Sequence, residues 1–395
     1  MGEPSERPRI YFDHAATTPV RREAALAMES YSLERFGNPS SLHAEGRGAR
    51  EALESSRASI LRACGAAAFD LIFTSGGTEA DNLAIAGAFL AARRRGVPAE
   101  RARVVTSAVE HPAVHGALGL VEAFQGRTAV AGVDRDGRVD PGEIEALLVD
   151  GAALVSLMGA NNETGVLEPI EEVGRAARSR GALFHSDLVQ VAGKQPISLD
   201  ALPLDLATVS SHKVHGPRGI AALFVRKGTA LEPLLRGGSQ EAGLRPGTED
   251  VAAAVGFAAA LELAVAESEE VMSRLERLRD GLRVEILRRF PDAVLNTPAS
   301  GSLPTILNVS FPGVEGESLV RLLDAHGVAA STGSACNVGA KKPSHVLRAM
   351  GRSDREVRGS LRISLGRGNT EEDVEPFLAA LEASVGQLER IAPGG

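Results

Sequence analysis

The sequence predicts an α/β protein whose larger part is a mostly parallel sheet flanked by helices, joined to a smaller α+β domain. Three observations carry this reading. Short apolar runs recur at Leu71–Thr74, Arg103–Thr106, Ala152–Met158, Ala182–His185, Leu206–Val209 and Ile220–Val225. Helical stretches at Glu79–Arg95, Pro112–Phe124, Pro141–Leu148 and Pro169–Arg180 separate most of them. The runs are near-continuously apolar, as in strands covered on both faces.

Taken in order, Ile10–Pro19 reads as an extended entry into a helix, with Thr18 as its N-cap and Pro19 at the first helical position. The turn cluster Phe36-Gly37-Asn38-Pro39-Ser40-Ser41 then precedes a long helix from about Leu42 to Ala63. Beyond Val225 the rhythm changes. Two long helices, Val251–Ala266 and Val271–Arg289, lead to runs at Thr305–Phe311, Gly327–Ser331 and Leu361–Ser364. Helices near Gly316–His326 and Thr370–Ile391 complete the smaller domain, and the N-terminal segment is expected to pack there too.

Composition narrows the function. The chain has 395 residues, 44% of them apolar, which allows two or more domains. Its 43 basic against 51 acidic residues give a net charge of −8, the wrong sign for a nucleic-acid footprint. Two cysteines, Cys64 and Cys336, cannot build a disulfide framework and fit a reducing, cytoplasmic compartment. The first ten residues are polar with Pro4 and Pro8, and Val251–Ala266 is interrupted by Glu262, so neither a signal peptide nor a membrane span is expected. No metal ligand set is expected.

In open α/β sheets ligands lie beyond the carboxyl ends of the strands, so the polar residues there matter most. After the first strand, Thr74-Ser75-Gly76-Gly77-Thr78-Glu79 opens a helix; Gly77 and Thr78 can hold an anion, with Thr78 as cap, as many helix starts can. After the second, Glu110-His111-Pro112 offers an imidazole that can stack on a flat ligand, move protons or simply bond local backbone. Asn161-Asn162-Glu163-Thr164-Gly165 suits either a ligand oxygen or a turn. His185-Ser186-Asp187-Leu188-Val189-Gln190 sets an aspartate in apolar surroundings, where it needs a cation, hydrogen bonds or a role as helix cap. Finally Ser210-Ser211-His212-Lys213-Val214-His215-Gly216-Pro217 carries one of only five lysines. An arbitrary lysine is a surface residue, but this one follows a phosphate loop, a histidine, an asparagine and an aspartate. Together they are the contacts pyridoxal phosphate requires.

These blocks, with Ala15-Ala16-Thr17-Thr18-Pro19 and Gly37-Asn38-Pro39-Ser40-Ser41 before them, resemble a group I cysteine desulfurase of the NifS/IscS kind. That family consists of class V aminotransferase-like enzymes of fold type I, and the likeness runs from about Tyr11 to Glu375. The resemblance implies a seven-stranded sheet in a large pyridoxal-phosphate domain, 15–256, with 1–14 and 257–395 forming the small domain. It implies Lys213 as the Schiff-base lysine, Asp187 on the pyridine nitrogen, His111 stacked on the ring and Gln190 at the pyridoxal hydroxyl. Asn162 falls at the substrate and cofactor edge. Gly77, Thr78, Ser210 and His212 fall on the phosphate, joined by Thr248 from a neighbouring subunit, so a homodimer is implied.

Ala330-Ser331-Thr332-Gly333-Ser334-Ala335-Cys336 matches the family's nucleophile motif, and the group II form Arg-x-Gly-His-His-Cys is absent. Small neighbours suit a mobile loop at about 331–343, and Lys341 and Lys342 favour a thiolate at Cys336. Cys64, at a helix end, reads as buried and inert. Arg362 in Leu361-Arg362-Ile363-Ser364-Leu365-Gly366-Arg367 is preferred over Arg367 for a substrate carboxylate, with Asn38 assisting. The implied reaction takes L-cysteine to L-alanine, with sulfur held as a Cys336 persulfide for an acceptor protein in iron–sulfur cluster assembly, thio-cofactor or tRNA thiolation, or a specialised pathway. A selenocysteine lyase or related β-lyase is the nearest rival, and an inactive sulfur-relay protein is the rival from another class.

Several positions depart from the family pattern. His14 stands for Asn or Tyr, Ser211 for Gly, and Ser239 and Ala242 replace the third Gly and the Arg of a Gly-Gly-Gly-Gln-Glu-Arg block. The loop from Asn337 to Lys342 is not Ser/Thr-rich, and no C-terminal scaffold-docking extension is recognisable before Gly395. These departures point to a specialised paralogue.

Overall fold

The computed structural model describes residues 9–333 and 343–391. A seven-stranded sheet forms its larger part, in the order Phe69–Thr74, Ala221–Arg226, Leu206–Ser210, Leu183–Asp187, Leu154–Ser156, Val104–Ser107, Thr128–Ala131. Only Ala221–Arg226 runs against its neighbours; the other pairings are parallel. The sheet is therefore mostly parallel, as the apolar runs predict. Side chains alternate between its faces. Leu71, Phe73, Val155, Phe184 and Phe224 enter one core with helices Ala44–Ala63 and Val251–Ala266. Ile72, Val104, Leu154, Leu206 and Leu223 enter another with helices Gly77–Arg94 and Pro112–Ala123.

A separate core surrounds an antiparallel sheet ordered Ser360–Ser364, Ile306–Ser310, Val294–Leu295. The N-terminal strand Ile10–Tyr11 pairs in parallel with Val328–Ala329, and Phe12 lies within this core against Phe377. Ala258 and Leu261 still pack on the first core, whereas Leu275, Leu278, Leu282 and Ile286 belong to the other. The cores thus divide between Leu261 and Leu275, past residue 256. Among the described residues no single helix is long and apolar enough to cross a membrane.

Two expected caps are overturned by tertiary contacts. The first helix is Arg22–Leu33, with Arg21 at its N-cap. Thr18 instead donates to the His212 carbonyl at 2.9 Å and accepts the His215 N–H at 2.9 Å, tying the N-terminal segment to the Lys213 turn. The helix after the first sheet strand is capped by Gly76, so Thr78 is its second helical residue. The sequence reading also missed the strand Thr128–Ala131, a four-residue edge with only Ala131 fully buried. It missed two five-residue helices, His345–Ala349 and Asp354–Arg358, whose signal is the capping serines Ser344 and Ser353.

Gly366 shows how tightly the N-terminal segment is docked, because a Cβ there would collide with the His14 ring. Overpacking of this kind costs about 1–3 kcal/mol. Gly366→Ala is expected to lower the urea-unfolding free energy by that amount, and an unchanged midpoint would show that His14 is free to move aside.

Candidate active site

Five strand ends, the N-terminal segment and Arg362 enclose a cleft of about 250 Å³. Gly77 and Thr78 form one end. They begin a helix, so their backbone N–H groups have no intrahelical acceptor and face the cleft with the positive end of the helix dipole. Ser210 ends the strand Leu206–Ser210; its hydroxyl is buried and has no hydrogen-bond partner among the described residues. A Cβ at Gly77 would sit 3.5 Å from Val189 and 3.9 Å from the Ser210 Cβ, within the space an anion needs. His212 completes this end, its Nδ1 held 3.1 Å from the Thr17 hydroxyl.

The floor is Asp187, the last residue of its strand, with one carboxylate oxygen accepting the Val189 N–H at 2.9 Å. His111 caps the helix Pro112–Ala123, its Nδ1 accepting the Ala113 N–H at 3.2 Å, while its ring lines the cleft. Lys213 donates to the carbonyls of Ala15 at 2.5 Å and Ala16 at 2.7 Å. Gln190 donates to the same Ala15 carbonyl at 3.1 Å and accepts from Lys194 at 2.6 Å.

Arg362 reaches the cleft from the other domain's sheet. It donates to Asp13 at 2.8 Å and to the Asn162 carbonyl at 2.9 Å, and its Nε is buried without a partner among the described residues. Arg367 lies elsewhere, near Glu267 at 3.7 Å. Of the two asparagines, Asn161 serves the turn, accepting the N–H groups of Glu163 and Thr164, while Asn162 lines the cleft. Asn38 and Thr248 are both exposed and outside the cleft lining; the Asn38 amide oxygen accepts the Ser40 N–H. Cys336, Lys341 and Lys342 lie outside the described residues, as does most of the expected loop; Gly333, just before it, lines the cleft.

The aminotransferase class-V family model matches residues 10–377. The chain belongs to this family. It is 43% identical over 384 residues to the cysteine desulfurase IscS of Dictyoglomus turgidum, covering 97% of this chain and 96% of that one. It is 43% identical over 389 residues to the cysteine desulfurase IscS of Methanosarcina thermophila, covering 98% and 95%. A solved structure described as a NifS-like protein superposes with a TM-score of 0.88 at 36% identity, covering 96% of this chain and all of that one.

Burial governs the electrostatics of this class-V site. It pushes His111 down to about 4, helped by Lys213, and His212 likewise to about 4, so both imidazoles are neutral near pH 7. It pushes Asp187 up to about 6, opposed by the Val189 N–H and by Lys213. The donor set fits pyridoxal phosphate. A hydroxyl with no partner among the described residues and a helix N-terminus suit a phosphate, a buried carboxylate suits a protonated ring nitrogen, and a lysine stands across the cleft.

Sequence reasoning passed over several residues. Asp81 also lines the cleft, buried beside Asp187, and desolvation raises its carboxyl well above the usual range. Asp13 steadies Arg362 across 349 residues of sequence, for which no local signal exists. Lys194 was visible only as one of the few lysines.

Glu110, beside His111, is fully buried, accepts the Ser107 hydroxyl and the Met158 N–H, and is pushed up to about 8 by desolvation. Its unfolded carboxyl ionises near 4.5. It therefore favours the fold fully below that pH, and the benefit is lost as pH rises through about 8. Glu110→Gln, which cannot ionise, is expected to gain stability relative to the parent as pH rises from about 5 to about 8. Parallel pH profiles in urea unfolding would contradict this.

Proposed function

We propose that this chain is a pyridoxal-phosphate-dependent cysteine desulfurase, converting L-cysteine to L-alanine and taking the sulfur onto Cys336. The observation that carries the reading is the convergence of Lys213, Asp187, His111 and Arg362 on one cleft that ends in a helix N-terminus. The cysteine desulfurase names of the two IscS relatives support the substrate. Gly77, Thr78, Ser210 and His212 would hold the phosphate, Asp187 the ring nitrogen, Gln190 the ring hydroxyl, and Lys213 the reactive carbon. When bound, the cofactor supplies an electron sink for the substrate α-carbon.

Arg362 clamps the substrate carboxylate with two parallel hydrogen bonds, which orients the Cα–H bond toward Lys213. Lys213 Nζ accepts the α-proton and later returns it. His111, neutral near pH 7, accepts the substrate thiol proton. The Cys336 thiolate bonds to the substrate sulfur as the substrate Cβ–S bond breaks. That electron pair stays with Cβ and takes up a proton, so cysteine plus thiol becomes alanine plus persulfide without an outside oxidant. We further propose a homodimer in which Thr248 serves the other subunit's phosphate end, a cytoplasmic location and a sulfur-acceptor protein. Asn38, exposed here, is assigned to the substrate carboxylate in the same way.

Incubating the cofactor-loaded protein with L-cysteine, without reductant, is expected to give alanine and one extra sulfur on the Cys336 peptide by mass spectrometry. Lys213→Ala abolishes alanine formation, and Arg362→Ala raises KM for cysteine about 10- to 100-fold. Undiminished alanine turnover in Cys336→Ala would indicate a β-lyase, and no alanine from the parent would mean another substrate.

A further inference from the structure

We propose that Lys194 is a positioning residue for the cofactor site: its ammonium fixes the orientation of the Gln190 amide and sets a second cation behind Lys213, favouring a neutral Lys213 nitrogen. This rests on the reading of Lys213 as the cofactor lysine. A chain of hydrogen bonds carries the first part. Lys194 Nζ donates to Gln190 Oε1 at 2.6 Å, Gln190 Nε2 donates to the Ala15 carbonyl at 3.1 Å, and Lys213 Nζ donates to that same carbonyl at 2.5 Å. A lysine ammonium has three donors and no acceptor, so while Lys194 is protonated the amide cannot turn over and point its NH₂ at it. The Gln190 NH₂ is thereby committed to the Ala15 side, where Lys213 also bonds.

A second cavity carries the other part. It lies between the two apolar cores, and Lys213 lines both it and the cleft. Lys194 is on its wall, with His14 from the N-terminal segment, His215 from the Lys213 turn, and Arg21, Glu267 and Arg367. Among the described residues, Glu267 is the single carboxylate on that wall. It is engaged bidentately by Arg21 at 2.6 and 2.7 Å, with Arg367 3.7 Å away, so it does not neutralise Lys194. His14 and His215, pushed down to about 3 and about 4 by burial, carry no charge near pH 7.

The surroundings of Lys194 are therefore net cationic. Burial first, then Lys213 and Arg362, push its ammonium down to about 7. Repulsion between like charges is mutual: a charged Lys194 disfavours a proton on the Lys213 nitrogen, as a neighbouring cation activates other Schiff-base lysines. Because Lys194 touches Gln190 rather than the reacting atoms, its effect falls on the protonation midpoint of the Lys213–cofactor linkage.

The test is a pH titration of the visible absorption band of the pyridoxal-phosphate-loaded protein, which reports protonation of that linkage. Lys194→Met and Lys194→Gln are expected to raise the midpoint by about one pH unit. Lys194→Arg keeps the charge and is expected to titrate at or below the parent. Unchanged or lowered midpoints in both neutral variants would overturn the proposal, and so would a raised midpoint in Lys194→Arg. Should Lys194→Met fail to retain cofactor, Lys194→Gln, which keeps a donor toward Gln190, carries the same expectation. A parent protein that shows no cofactor band sinks the desulfurase reading instead, so the two failures are distinct.

Discussion

The site depends on one contact, the laying of Asp13–Thr18 across the turn that carries Lys213. Ala15 and Ala16 present their carbonyls to Lys213, and Ala15 takes Gln190 as well. A carbonyl has two lone pairs, so Ala15 is saturated by this pair of donors. Thr17 meets His212, and Thr18 takes both the His212 carbonyl and the His215 N–H. Immediately upstream, Asp13 pairs with Arg362 and Phe12 is buried in the second core. One six-residue segment therefore fixes Lys213, His212 and Arg362 relative to each other. Backbone acceptors suit this role because they hold an ammonium without adding charge to a site already rich in carboxylates.

That richness is the second feature of the cleft. Asp187, Asp81 and Glu110 lie at or beneath the floor, and desolvation drives all three toward their protonated forms. The histidines at the same level, His111, His185 and His212, are driven toward neutrality. Burial alone thus leaves the floor poor in net charge despite its composition. A ring cation beside Asp187 would reverse this locally, because an opposite charge within a few ångströms outweighs part of the desolvation cost. The Ser210 hydroxyl and Arg362 Nε are two further buried donors with no partner among the described residues, available to a ligand.

Most of the cleft was legible because its residues sit where apolar runs stop. Gly77, His111, Asn162, Asp187 and Ser210 each lie within a few residues of a strand end, and period and turn chemistry mark those ends. What was illegible acts over distance. Thr18 and Thr78 carry the local signature of helix caps, yet Thr18 is claimed by a turn nearly 200 residues away and Gly76 takes the other cap. Asp13 and Lys194 work through Arg362 and Gln190, so no window of sequence around either reveals its role. The edge strand Thr128–Ala131 failed for another reason: with only one of its four residues fully buried, it offers too little burial to imprint a pattern.

The departures from the desulfurase pattern are also better understood in space than in sequence. Ser211 is wholly buried, and its hydroxyl occupies the space into which a Cβ at Gly216 would point. His14 fills the corresponding space at Gly366. Each larger residue is thus matched by a glycine that gives it room. Ala242 adopts a left-handed backbone with φ of 57°, next to Glu241, which is held by Arg57 and by the Phe73 N–H. None of these positions lines the cleft, and His14 lines the cavity on the far side of Lys213. The cleft-lining residues keep the types that the family resemblance implies, and the departures at His14 and Ser211 lie outside that lining. Variation there can alter the protonation of Lys213 without changing any residue that lines the cleft. His14 and Ser211 therefore bear on how the lysine turn is backed rather than on the residues it faces.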